Sequence, residues 1–192
     1  MRTPIAALLA IALFPASACA STGTTQTAPA PAQATAAAEP APRPLAIADL
    51  KSPDGSDVGT VTAWSGPRGM LFVVEGRNWP EGWHGVHLHA VPQCDGPAFT
   101  SAGAHANHSD SPSPHGLLNP SGPDLGDLQN VYAGADGAAN AEVFSPVPGQ
   151  NPIGLSFVVH ANRDDHHTQP IGGAGPRIAC GVFETPLLVV HR

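Results

Sequence analysis

Three histidines crowd one short apolar stretch, Trp83-His84-Gly85-Val86-His87-Leu88-His89. In an extended strand, side chains alternate between faces, so His87 and His89 share one side. Two neutral imidazoles held together on a rigid element suit a borderline transition metal such as copper or zinc. His84 is out of phase with the pair and is expected to face the other way, as a hydrogen-bonded core residue. Taken alone the pair is weak evidence, because ten histidines in 192 residues make a chance His-x-His easy to find. The rest of the chain has to supply further ligands.

The surrounding pattern is that of an all-β domain. Gly (21) and Pro (22) are abundant, charged residues make up only 12%, and helical runs rich in Ala, Leu, Glu and Lys are absent outside the leader. Strand-like runs recur at 58–64, 70–75, 85–91, 131–133, 138–144, 155–160, 177–183 and 187–190. Gly66-Pro67-Arg68-Gly69 joins the first two, Asp54-Gly55 is an earlier turn, and Asp136-Gly137 marks a hairpin. Together they predict a flattened Greek-key β-barrel or sandwich of about eight antiparallel strands. Two long loops interrupt it. Residues 92–128 hold Cys94, His105, His108, His115, Asp124 and Asp127; residues 161–175 hold Asp164, Asp165, His166 and His167. A long loop inside a compact domain is unusual unless it is functional or tied down.

Residues 1–20 read as an export signal: Arg2 supplies the positive start, and 5–14 form an apolar run too short to span a bilayer. Ala16-Ser17-Ala18 and Ala18-Cys19-Ala20 are both small-residue cleavage sites. Cys19 leaves two readings open, because Ala-Ser-Ala-Cys resembles a degenerate lipobox: lipidation and membrane anchoring, or ordinary cleavage. Residues 21–43, mostly Ala, Pro, Thr and Gln, read as a disordered, partly polyproline-like tether, leaving 44–192 as the folded domain. In an exported chain Cys94 and Cys180 most simply pair, which contributes about 4–5 kcal/mol in the chain-entropy model. The formal net charge of −7 argues against a nucleic-acid partner.

In order, these features run His-x-His, Cys, His, His, Asp, His at a strand end, then Arg and Cys. Here the chain resembles the copper/zinc superoxide dismutases in their bacterial exported form. The resemblance covers about residues 45–184. It rests on 82–89, on Ser101-Ala102-Gly103-Ala104-His105, on Leu125-Gly126-Asp127-Leu128, on Val158-Val159-His160-Ala161, and on 172–182 with its Arg177-Ile178-Ala179-Cys180. It implies copper bound by His87, His89, His105 and His160, with His105 bridging to zinc, and His115 and Asp127 as zinc ligands. It also implies a Cys94–Cys180 disulfide, an anion-binding Arg177, and Asp164 as the carboxylate that links a copper histidine to a zinc histidine. The same resemblance places the protein on the periplasmic side of a bacterial envelope, soluble or lipid-anchored, as a monomer or homodimer.

One position departs from the family. Where the family has His-x-Gly-Asp, this chain has Asp124-Leu125-Gly126-Asp127. Asp124 can bind zinc itself, His108 can swing in, or zinc can bind weakly; Asp124 as ligand is the favoured reading, since zinc accepts two histidines and two carboxylates. Ala106-Asn107-His108 also replaces the usual Phe-Asn-Pro or Phe-Asp-Pro, and the spacing from His105 to His115 is slightly long.

The implied reaction is disproportionation of superoxide to dioxygen and hydrogen peroxide, with copper cycling by one electron, Arg177 orienting the anion and His105 supplying a proton. Arg163 and Arg177 are expected to carry the steering charge, and His166 and His167 to sit at the channel rim, solvated or hydrogen-bonded to Asp164 or Asp165. The alternative is a copper-binding or storage module of the same fold without turnover, for which an anion-binding Arg177 has no use.

Overall fold

The structure is a computed structural model describing residues 43–147 and 150–186. The leader with Cys19, the tether up to residue 42 and the expected strand at 187–190 lie outside the described residues. Nine strands form two antiparallel sheets, and no α-helix occurs among the described residues.

The large sheet begins with β1 (Ala46–Lys51), β2 (Asp57–Gly66) and β3 (Gly69–Gly76), joined by the two expected turns. Their alternation sets one face inward. Ala46, Ala48 and Leu50 of β1, Val61 and Ala63 of β2, and Met70, Phe72 and Val74 of β3 are all buried. The register aligns them in rows, Ala48 opposite Val61 and Val61 opposite Val74. Sequence reasoning did not name β1 as a strand, because its alanines, Asp49 and Lys51 have low strand preference and its inward residues are small.

The expected 85–91 strand is shorter, at 86–89, and a separate short strand precedes it across Gly85. β4 (Gly82–His84) pairs with β6 (Val131–Ala133) in a small sheet, and β5 (Val86–His89) pairs with β8 (Ser156–His160) in the large one. A Cβ at Gly85 would lie 2.9 Å from Ala174 Cβ, so only glycine fits where the chain changes sheets. The large sheet is completed by β7 (Ala139–Ser145) and β9 (Arg177–Val182), in the order β5-β8-β9-β1-β2-β3-β7. β5 at one edge continues from β4, and β7 at the other is joined to β6 through the Asp136-Gly137 hairpin, where Gly137 adopts φ 75°. The small sheet thus connects both ends of a strongly curled seven-stranded sheet.

The core is centred on Phe72, Phe157 and Phe183, fully buried, with ring centroids 5.7–6.4 Å apart. Val86 and Leu88 of β5 and Phe157 and Val159 of β8 point into it. The opposite face of these two strands is covered instead by the long loops, and a second small cluster forms there from Phe99, Ala102, Val158 and Cys180, with Cys94 against it. The histidines project from that covered face.

Candidate metal centre

β5 sets His87 and His89 side by side, and the long loop brings the next ligand by pairing with the free edge of β5. Leu88 N–H donates to Gly126 C=O (2.9 Å), Ala106 N–H to Leu88 C=O (2.8 Å) and Ala90 N–H to Ala104 C=O (2.9 Å). This docking sets His89 opposite His105 and His87 opposite Asp127. It also explains how so long a loop keeps its order without strands of its own. β8 ends on His160, where a register shift follows Val159. One nitrogen from each of His87, His89, His105 and His160 lies within 4.8 Å of the others, and all four residues are buried.

Hydrogen bonds to the outer nitrogens set each ring's tautomer. His89 Nδ1 donates to Gly103 C=O (2.9 Å) and His160 Nδ1 to Gly175 C=O (2.9 Å), leaving Nε2 free on both. His87 Nε2 donates to Asp164 Oδ2 (2.7 Å), leaving Nδ1 free. His105 directs Nδ1 at Asp124 Oδ2 (2.9 Å) and leaves Nε2 free. Four buried nitrogens without a hydrogen-bond partner, converging on one point, fit a metal that takes neutral imidazole. Burial keeps three of these rings neutral and ready to bind, lowering His87 to about 3, His89 to about 2 and His160 to about 4.

Next to this cluster, His105 Nδ1, His115 and the carboxylates of Asp124 and Asp127 form a second group. Asp127 Oδ2 accepts from the N–H of Gly116 (2.7 Å) and Asp124 (3.0 Å), while Oδ1 stands free beside His115 Nδ1, which is also without a hydrogen bond. Asp124 Oδ1 accepts from Gly126 N–H (2.9 Å), and its Oδ2 faces His105. Each carboxylate therefore presents one oxygen to the same space. Burial opposes charge on His115, but the adjoining Asp127 and Asp164 carboxylates outweigh it and raise it to about 10. His105 is raised against burial in the same way by Asp124 and Asp127. Such a negative pocket favours a cation, and a divalent ion satisfies it better than protons. His108 is exposed and belongs to neither ligand cluster among the described residues.

Asp164 lies behind both groups. Its Oδ2 meets His87 Nε2, and its Oδ1 meets His115 Nε2 at 3.1 Å, so one carboxylate spans the two clusters. Its own pKa is held well below the usual range: burial acts to raise it, but the His115 and His87 hydrogen bonds prevail.

A cleft of about 480 Å³ opens over the copper-side cluster, with His89, His105, Asp124, Gln169, Ile171 and Arg177 in its wall. The Arg177 guanidinium is held by the carbonyls of Phe99 and Gly103 (2.6 Å to the latter). The Cys94–Cys180 disulfide, with Cα atoms 5.6 Å apart, ties that loop to β9.

Several supporting residues were not legible in sequence. Phe99, buried at φ 53°, sits where bulky residues rarely do and aims its carbonyl at Arg177. Gln169 grips His115 at both ends, accepting from its N–H (3.0 Å) and donating to its C=O (2.7 Å). Asn130 does the same to Asp164. An amide in a polar loop carries no periodic signal that marks such a role.

Three further expectations meet the geometry. His84 is buried, with its ring nitrogens 2.8 Å from the carbonyls of His160 and Pro80. His166 turns inward behind Asp164 and its N–H donates to that carboxylate, whereas His167 is exposed with its N–H donating to Asp165 Oδ1. Arg163 is not in the cleft wall either; it stacks over Trp83 on β4, 5.9 Å from the ring centroid.

Comparison with known proteins agrees with this geometry. Residues 58–183 match the family model described as copper/zinc superoxide dismutase. "Superoxide dismutase [Cu-Zn]" of Caulobacter vibrioides is 49% identical over 149 residues, covering 72% of this chain and 85% of that protein. Among solved structures, the Cu/Zn superoxide dismutase from Brucella abortus matches with TM-score 0.62 and 32% identity, over 72% of this chain and 98% of that one. A SOD-like protein from Bacillus subtilis matches with TM-score 0.65 and 31% identity, over 71% and 96%. The match runs from β2 through β9 and takes in every histidine and aspartate of the two clusters; the chain belongs to the copper/zinc superoxide dismutase family.

Proposed function

We propose that this protein is an exported superoxide dismutase, turning two superoxide anions and two protons into dioxygen and hydrogen peroxide. The carrying observation is the convergence of four free imidazole nitrogens beside a cleft that holds an arginine. His87, His89, His105 and His160 would hold copper; His105, His115, Asp124 and Asp127 would hold zinc. Bound copper would supply reversible one-electron redox chemistry.

The chain's own residues do the rest. Arg177 attracts the small anion and orients it by charge-assisted hydrogen bonds, its direction set by the Phe99 and Gly103 carbonyls. His105 Nε2 faces the copper-side cluster while Nδ1 is held by the carboxylate side. That nitrogen is therefore placed to hold a proton and hand it to the leaving peroxide. Asp164 keeps the proton of His87 and of His115 on the outer nitrogen, so the inner one remains a ligand.

The disulfide agrees with an oxidising compartment, the periplasmic side of a bacterial envelope. We assign 1–20 to the signal region, 21–43 as the tether and 44–192 as the catalytic domain; cleavage after Ala18 would leave Cys19 as a lipidated, anchoring first residue, and cleavage after Ala20 would discard it. The mass of the mature N-terminus reads that assignment directly.

Superoxide consumption by protein loaded with copper and zinc tests the function. An Arg177→Ala variant that keeps its copper should lose at least about tenfold in kcat/KM. Loaded wild-type protein that binds copper without consuming superoxide would instead establish the storage reading.

A further inference from the structure

Among the described residues, seven buried side-chain atoms lack a hydrogen-bond partner. Six belong to the two ligand groups: His87 Nδ1, His89 Nε2, His105 Nε2, His160 Nε2, His115 Nδ1 and Asp127 Oδ1. The seventh, His166 Nδ1, belongs to neither. A buried polar atom with no partner needs an explanation.

Its surroundings identify its proton. Asn130 Oδ1 accepts from the Asp164 N–H (2.8 Å), and Asn130 Nδ2 donates to the Asp164 carbonyl (2.8 Å), which sets the orientation of the amide. The same Nδ2 lies 2.9 Å from His166 Nε2. A primary amide nitrogen only donates, so Nε2 accepts and the neutral ring carries its proton on Nδ1. That N–H lies 3.7 Å from Asp164 Oδ2, the oxygen that holds His87.

The backbone of His166 serves the same carboxylate. Its N–H donates to Asp164 Oδ1 (2.6 Å), and its carbonyl accepts from Leu118 N–H (3.0 Å), linking this turn to the long loop. To do this it adopts φ 60°, a conformation that favours Gly or Asn over most residues.

We infer that His166 is a positioning residue, whose ring and backbone together aim the Asp164 carboxylate at His87 and His115. Resting on the proposed metal assignments, this places a third imidazole on the carboxylate that spans both sites. Without the ring, Asp164 Oδ2 loses a neighbouring donor and can turn away, and the outer nitrogens of His87 and His115 lose their fixed acceptor. Partners bonded directly to a ligand typically affect metal affinity by about 10–100-fold; one contact further out, about 3–10-fold is expected.

The test uses the full mature chain with its disulfide intact, as wild type, His166→Gly and His166→Asn. Both replacements accept the left-handed backbone, so the N–H and C=O contacts persist while the ring is removed. Zinc affinity by competition with a chromophoric chelator should fall about 3–10-fold, and the visible absorption of Co²⁺ placed in the zinc site should shift, with the metal-free Tm nearly unchanged. Unchanged zinc affinity and Co²⁺ absorption in both variants would overturn the inference. Nitrogen-correlated NMR of the wild type gives an answer that does not depend on variant folding: a His166 proton on Nε2 sinks it. Wild-type protein that fails to bind copper and zinc as an adjacent pair would sink the metal assignments themselves, a result distinct from either of these.

Discussion

His89 and Arg177 hydrogen bond to the same atom. The Gly103 carbonyl accepts from His89 Nδ1 at 2.9 Å and from the Arg177 guanidinium at 2.6 Å. One loop carbonyl therefore sets both a ring of the four-histidine cluster and the arginine proposed to bind the anion. That loop is tied to β9 by Cys94–Cys180, three residues beyond Arg177 itself.

Opening the disulfide should therefore impair catalysis before metal binding. In a Cys94→Ser/Cys180→Ser variant, Phe99 and Gly103 lose their tether and Arg177 its fixed direction. The expected result is a fall in kcat/KM of about tenfold with copper retained, and a stability loss of about 2–5 kcal/mol. Measuring copper content beside activity separates the two effects. Copper lost in step with activity would show that the disulfide serves the ligands rather than Arg177.

Asp124 faces His105 Nδ1 at 2.9 Å, where the family normally has a histidine. If its carboxylate is a zinc ligand, Asp124→Ala should reduce zinc affinity by about tenfold or more, and Asp124→Asn by less, because one carbonyl oxygen remains. His108→Ala should leave zinc content unaltered. Equal zinc content in Asp124→Ala and wild type, measured against the same chelator, would remove Asp124 from the ligand set.

The metal-free protein should be most stable near pH 6.5. Burial depresses His87, His89 and His160 to about 3, 2 and 4 in the fold. The unfolded chain titrates them near about 6.5. As pH falls below that value the unfolded state takes up protons that the fold refuses, so stability falls, by about 1.4 kcal/mol per pH unit for each histidine. His115, raised to about 10, and His105, raised in the same direction, work the opposite way. The fold binds their protons where the unfolded chain does not, and that stability is lost as pH rises through the folded pKa. Urea melts in the presence of a chelator, from about pH 5 to 9, should give a maximum between two falling limbs. Adding zinc should flatten the alkaline limb, since metal replaces the protons. A metal-free stability that climbs from about pH 6.5 to 9 contradicts this arrangement.

The clustering histidines were readable from sequence because strand alternation and the order of chemically distinctive residues survive without coordinates. His87 and His89 follow from the pleat, and His160 from the end of an apolar strand. Their supports were not readable, because they act through backbone carbonyls and loop amides. Gly103 and Gly175 accept from ligand rings, and Gln169 and Asn130 bracket His115 and Asp164 across 54 and 34 residues of sequence. Spacing does not encode such contacts. Two adjacent polar histidines in a loop suggest the rim, solvated or bonded to Asp164 or Asp165; the inward turn of the His166 ring depends on a left-handed backbone that spacing does not reveal. The separate strand β4 was hidden for a related reason: nothing in an apolar run marks a change of sheet at Gly85, which a neighbouring Ala174 holds to a residue without a side chain.

Gly172 shows how narrowly the spanning carboxylate is held. It adopts φ 59°, and a Cβ there would fall 1.6 Å from Asp164 Oδ1, the oxygen that meets His115. Gly172→Ala therefore strains the backbone by about 1 kcal/mol or more and drives Asp164 from its position. Gly173, also left-handed at φ 69°, has open space at its Cβ. Alanine there carries the backbone strain without the collision, which makes Gly173→Ala the matched control. Both variants should lose a similar increment of metal-free stability from strain, but only Gly172→Ala should also lose zinc affinity and shift the copper EPR spectrum through His87. If the two variants bind zinc equally well, Asp164 tolerates displacement, and its role in aligning the two sites is smaller than the hydrogen bonds suggest.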